Sequence, residues 1–297
     1  MWRDIGFFPF ATEQPASVFV VGAGAGLELW FARQSGVEAI TASEVSRGSV
    51  RLTEEASGYN GALTQDPFVR LVVDEGRSLL AREAHTYDLI SLSQVVTSAA
   101  ERDGYALVEN DAYTLEAFDL YLSRLNDDGT LALKLYDEIT LARAFATVMR
   151  ALMADGLDEA AALSHLLILV DPSVEPAIPL LLVRKNPFTQ EEATAIGAVA
   201  VEVGFTPLFL PQRWAEAPMD ALASGEQTLA DYIESSDADL TPTTDERPFF
   251  FQFERGLPAT LARLLIGVTL FAMVIVCVAI WAGRRAGNPV ATVTSLY

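Results

Sequence analysis

Residues 18–28, VFVVGAGAGLE, decide how the rest of the chain is read. Val18, Phe19, Val20 and Val21 are β-branched or aromatic, the composition of a buried strand. Gly22, Gly24 and Gly26 follow at alternate positions, and residues 27–34 carry the apolar spacing of a helix. Glycines at a strand–turn–helix junction let the chain turn sharply. They also bring backbone N–H groups against a ligand with no Cβ in between. A dinucleotide loop, GxGxxG, needs its third glycine at position 27, where Leu27 stands.

Outward from this loop, short apolar runs alternate with longer helical ones. Residues 38–43, 68–73 (FVRLVV), 87–92 (YDLISL) and 130–135 (TLALKL) read as strands. Residues 46–56, 113–125 and 139–154 read as helices. That alternation predicts a parallel sheet covered on both faces. Residues 167–170 (LILV) and 179–183 (PLLLV) are joined by a linker too short for a crossover helix, so an antiparallel pair is expected there. A helix over 189–203 and a short strand over 204–210 follow. The expected fold is α/β: a doubly wound Rossmann-like sheet of the S-adenosylmethionine-transferase type, ending in an antiparallel hairpin. GxGxG is the first-loop pattern of such enzymes.

Two acids fit the same picture. Glu44 ends the second strand, 22 positions after Gly22, where a carboxylate can accept hydrogen bonds from both hydroxyls of a ribose. Asp74 ends the third strand and can accept from an adenine amino group. With Gly22, Gly24 and Gly26 they lie at the carboxyl ends of successive parallel strands, the edge that forms a ligand crevice.

The segments VFVVGAGAGLE (18–28), VVDEGRSLL (72–80), YDLISLSQ (87–94), ENDAYTLEAFDLYLSRL (109–125) and PTTDERPFFFQF (242–253) together resemble the spermidine/spermine synthase (polyamine aminopropyltransferase) branch of the Rossmann-like transferases. The likeness is closer to membrane-integrated bacterial proteins that carry such a domain. It implies a transferase using S-adenosylmethionine or its decarboxylated form, with a small-molecule amine or an unknown acceptor as substrate. It also implies either a homo-oligomer or further membrane spans of a longer protein.

One position departs from the resemblance. Soluble members carry an Asp at the end of the fourth strand that is thought to bind and deprotonate the attacking amine, and Ser93 stands in its place. A serine hydroxyl neither holds a cation by charge nor acts unaided as a base near neutral pH. Ordinary polyamine synthesis is therefore not expected. Glu109 is the expected substitute carboxylate, with Tyr105 and Tyr113 offering aromatic faces to an amine. Alternative readings are a methyltransferase on an unknown acceptor and a catalytically silent cofactor-binding module.

Composition excludes other chemistries. Only two histidines, His85 and His165, and one cysteine, Cys277, occur in 297 residues, which leaves no material for a disulfide framework and little for a metal centre. Without Arg263, Arg284 and Arg285, residues 1–259 hold 17 basic against 40 acidic residues, a net −23. Nucleic acid is an unsuitable partner for such a surface. Residues 264–283 run for 20 positions without a charge, about 30 Å as a helix, with Trp281 at one end and Arg284–Arg285 beyond it. A transmembrane helix is expected there. Residues 1–15 lack the basic start and apolar run of a signal peptide, so the acidic domain is expected on the cytosolic side of the inner membrane. The expected organisation is a domain over 1–210, a Pro/Asp/Thr-rich tail over 211–259 carrying TTDERPFFF, a membrane helix over 260–285 and a short tail over 286–297.

Overall fold

A computed structural model describes residues 3–95, 108–256 and 259–285. The alternation of side chains along each strand divides the apolar residues between two layers. Phe19 and Val21 of β1 (Ser17–Val21) enter one core, together with Ile90 and Leu92 of β4 (Tyr87–Ser93) and Leu131 and Leu133 of β5 (Leu125–Lys134). Val18 and Val20 enter the other, with Ile40 and Ala42 of β2 (Ala39–Glu44). The first layer is closed by α6 (Leu115–Ser123) and α7 (Glu138–Ala154) through Phe118, Tyr121, Phe145 and Met149. The second is closed by α1 (Phe8–Glu13), α2 (Leu27–Gln34) and α9 (Gln190–Glu202) through Phe8, Phe10, Leu29, Phe31 and Ile196.

The remaining elements are α3 (Arg47–Glu55), α4 (Ser57–Asn60), β3 (Val69–Val73), α5 (Gly76–Arg82), α8 (Glu159–Leu163), β6 (Leu166–Asp171), β7 (Ile178–Arg184), β8 (Thr206–Leu210), β9 (Trp214–Ala215), α10 (Met219–Ser224) and α11 (Leu229–Ser235). Strand order is β3-β2-β1-β4-β5-β7-β6-β8-β9. The first five strands pair in parallel, and β7 enters antiparallel between β5 and β6. The expected doubly wound sheet and antiparallel pair are present. The sheet does not stop at the hairpin, because β8 pairs with β6, and β9 with β8.

Residues 211–253, read from the sequence as a tail, belong to the same unit as the sheet. Their few apolar residues are spent inside it: Met219, Leu222, Leu229, Tyr232, Leu240 and Phe250 are buried. A second unit begins at Glu254. It contains α12 (Ala259–Arg285), and residues 261–285 are long and apolar enough to cross a membrane. Leu264, Phe271, Val276 and Trp281 are among its exposed apolar side chains.

Candidate functional site

The loop between β1 and α2 turns on positive φ angles of 72° at Gly22, 51° at Gly24 and 90° at Gly26, which favour glycine. Ala23 N–H donates to Ser43 O at 2.8 Å, tying the loop to β2. Glu44, at the end of β2, is 8% exposed. Its Oε2 accepts from Gly24 N–H and its Oε1 from Ser46 N–H, each at 2.8 Å. Both oxygens are held in place, and each keeps a second lone pair for another donor. A Cβ built on Gly24 would meet nothing within 4 Å, so the loop borders open space there. Asp74, just past β3, accepts from Glu75 N–H at 2.9 Å and is ion-paired with Arg82. Glu75 spends both oxygens capping α5, accepting from Arg77 N–H and Ser78 N–H at 2.8 and 2.7 Å.

Gly22, Gly24, Glu44, Asp74, Ser93 and Glu109 line one cleft of about 360 Å³. Gly26 does not line it. It caps the N-terminus of α2, with Leu63 3.2 Å from where its Cβ would be.

At the other end of the cleft, period-two alternation turns Ser93 and its register partner Lys134 toward the layer that holds α2. The first turn of α2 supplies Glu28, which is 6% exposed and lines the cleft beside both residues. Burial pushes the Glu28 carboxyl above the usual carboxylate range, opposed by the neighbouring Ser93 hydroxyl and the charge of Lys134. Lys134 Nζ donates to Asp4 Oδ1 at 2.7 Å. Asp4 precedes a 3₁₀ turn, Ile5–Phe7, and also accepts from Gly6 N–H at 2.8 Å.

Residues 109–112 form a wall of the cleft. Glu109 is exposed on it, whereas Asn110 is buried and donates to Val95 O at 3.0 Å. Tyr105 lies outside the described residues. Tyr113 offers no face to an amine. It is fully buried, stacked on Phe250 at 4.3 Å between ring centroids, and its hydroxyl accepts from Val95 N–H at 3.1 Å. Its phenol is pushed up in pKa, chiefly by that burial.

TTDERPFFF forms a strap behind this wall. Thr243 Oγ1 donates to Tyr113 O at 2.7 Å, Leu115 N–H to Thr243 O at 2.8 Å and Asn110 N–H to Pro248 O at 2.7 Å. Asp245 receives both Arg77 guanidinium nitrogens at 2.8 and 2.9 Å, and the Thr114 hydroxyl at 2.6 Å. Buried Arg143, its pKa pulled down to about 10 by desolvation, donates to Phe249 O, Phe250 O and Asp239 O. Phe250 and Phe251 of this segment are core residues.

Sequence reasoning missed Glu28 and Asp4. An acid inside an apolar-periodic stretch was the available signal for Glu28. Asp4 carried none, since its partner is 130 residues away.

No family model matches the chain, and no curated protein matches it. Solved structures do. A spermidine synthase in complex with the transition-state analogue AdoDATO is 14% identical over 76% of each chain, with a TM-score of 0.51. Spermidine synthase from Thermotoga maritima is 14% identical, covering 74% of this chain and 72% of that one at a TM-score of 0.50. A probable spermidine synthase from Corynebacterium glutamicum ATCC 13032 is 19% identical, covering 74% and 78% at a TM-score of 0.50. At such identities the shared property is the fold, the Rossmann-like sheet of S-adenosylmethionine-type transferases.

Proposed function

We propose that the chain is a membrane-held transferase whose cleft takes S-adenosylmethionine or its decarboxylated form. The observation that carries this reading is Glu44, fixed by two backbone N–H groups beside the open space over Gly24. Residues of this kind suit a nucleoside: Glu44 for the ribose hydroxyls, Asp74 for the adenine amino group, Gly22 and Gly24 as a side-chain-free cradle. The sulfonium, when bound, supplies an electrophilic carbon, and the protein supplies orientation and proton transfer. The AdoDATO complex of a spermidine synthase with this fold supports an adenosyl ligand.

The acceptor side supports a reaction other than ordinary aminopropyl transfer to putrescine, because Ser93 puts no charge at the end of β4. Residues 264–283 anchor the protein in the inner membrane with the acidic domain in the cytosol, a reading supported by length, hydropathy and exposure. Calorimetric titration of the detergent-solubilised chain tests the nucleotide reading. S-adenosylmethionine, its decarboxylated form or S-adenosylhomocysteine should bind and NAD should not; tight NAD binding with none of the other three would sink it. Retention in the membrane pellet after alkaline carbonate tests the anchor, and release by carbonate alone would refute it.

A further inference from the structure

Glu28 is a carboxylate in a place where little else explains it. It sits on the buried side of α2, 6% exposed, yet lines the cleft with Ser93 and Lys134. Removing a carboxylate from water costs several kcal/mol unless partners offset the loss. Its neighbours in the cleft are the Ser93 hydroxyl and a lysine that already donates to Asp4 at 2.7 Å. A packing role would be filled better by leucine.

We infer that Glu28 is the proton-accepting group of this cleft, holding an acceptor that carries a single ammonium. The inference rests on the sulfonium-nucleoside reading above and names the residue that takes the place Ser93 leaves uncharged. Ser93 lines the cleft beside it. Asp4 is spent on Lys134, so among the described residues the floor of the cleft offers one uncommitted negative charge, enough for one ammonium and not for the two of putrescine. Glu109 and Asp111 line the opposite wall but are exposed, where water and salt screen them. Burial keeps Glu28 protonated to higher pH than an ordinary carboxylate, and a raised pKa makes the ionised form a stronger base. The acceptor nitrogen passes one proton to the Glu28 carboxylate. Its freed lone pair makes the new N–C bond while the C–S pair stays with sulfur, so the donor leaves as an uncharged thioether and the product nitrogen keeps one positive charge.

The test uses the full chain in detergent and binding as its readout. n-Butylamine is titrated into wild type, Glu28→Gln and Glu226→Gln, with and without 5′-methylthioadenosine. Loss of a charged hydrogen-bond partner weakens binding about tenfold or more. Glu28→Gln should show that loss for the amine while affinity for the nucleoside stays within about twofold, and Glu226→Gln, at an exposed position outside the cleft, should change neither. Amine affinity of the wild type should rise with pH as Glu28 ionises, and the rise should vanish in Glu28→Gln. Equal amine binding by wild type and Glu28→Gln, or putrescine bound at least tenfold more tightly than n-butylamine, overturns the inference. Absence of nucleoside binding by the wild type refutes the cofactor reading instead, and the amine arm run without nucleoside keeps the two failures apart.

Discussion

The two ends of the cleft are built in different ways. At the ends of β1–β3, the groups that would face a nucleoside are neighbours of a glycine loop, and the backbone does much of the holding: Gly24 N–H and Ser46 N–H fix Glu44. At the ends of β4 and β5, the site is assembled from Asp4, Glu28, Ser93 and Lys134, with a wall braced by residues 243–250. The first arrangement tolerates drift elsewhere in the chain because its partners are local. The second depends on contacts over more than a hundred residues.

The largest expected effect breaks the local end. Gly24→Val puts a β-branched side chain at φ 51°, which costs about 1–2 kcal/mol in the backbone, and places two methyl groups in the space over the loop. A Cβ there meets nothing within 4 Å, so the fold should survive with unchanged circular dichroism. Calorimetric binding of S-adenosylmethionine and S-adenosylhomocysteine should disappear. Retained affinity in a folded variant would move the nucleoside away from Gly24.

A smaller effect is expected at the assembled end. Phe250 is fully buried against Tyr113, and truncating such a side chain typically costs about 3–5 kcal/mol. For a domain of this size that lowers Tm by roughly 6–20 °C. Phe250→Ala should therefore melt well below wild type while nucleoside affinity at permissive temperature changes little, since no residue of the strap lines the cleft. A Tm within 2 °C of wild type, about the shift of 1 kcal/mol or less, would show that the strap is not part of the core.

What the sequence made legible divides along the same line. The parallel order of β1–β5 follows from alternating periods, and the β6–β7 pair from a linker too short for a helix. Gly22, Gly24, Glu44 and Asp74 could be named because each stands at the end of a strand that the pattern already marks. Tyr113 was misread, since an aromatic residue beside acids looks the same whether it lines a pocket or, as here, stacks under Phe250 from 137 positions later. Residues 211–253 were misread for a related reason. Their apolar residues are sparse and aperiodic, and only tertiary placement shows that they complete one layer of the core. Glu28 lay inside the stretch that decided the fold, but its burial depends on Asp4 and on the register of Ser93 with Lys134, neither of which is local.

The smallest expected effect concerns Arg77 and Asp245, which tie the strap to the helix after β3. The Asp245 carboxyl sits below its ordinary pKa, chiefly through its hydrogen bond from Arg77 and further through Thr114. A carboxylate whose folded pKa is depressed contributes stability above its unfolded value near 4, and loses it as pH falls through the lower folded value. The Asp245 side chain is 45% exposed, so solvent screens the pair, and such pairs contribute about 0.2–1 kcal/mol. Asp245→Asn should therefore lower Tm by at most a few degrees at pH 7. That difference should shrink as the pH falls below about 4, because the wild-type carboxyl becomes protonated and the asparagine has nothing to protonate. Comparing the two proteins at each pH cancels the other carboxylates, which they share, and isolates this one. A difference that does not change as the pH is lowered would mean that the Asp245 charge, and with it the Arg77 pair, does not hold the strap.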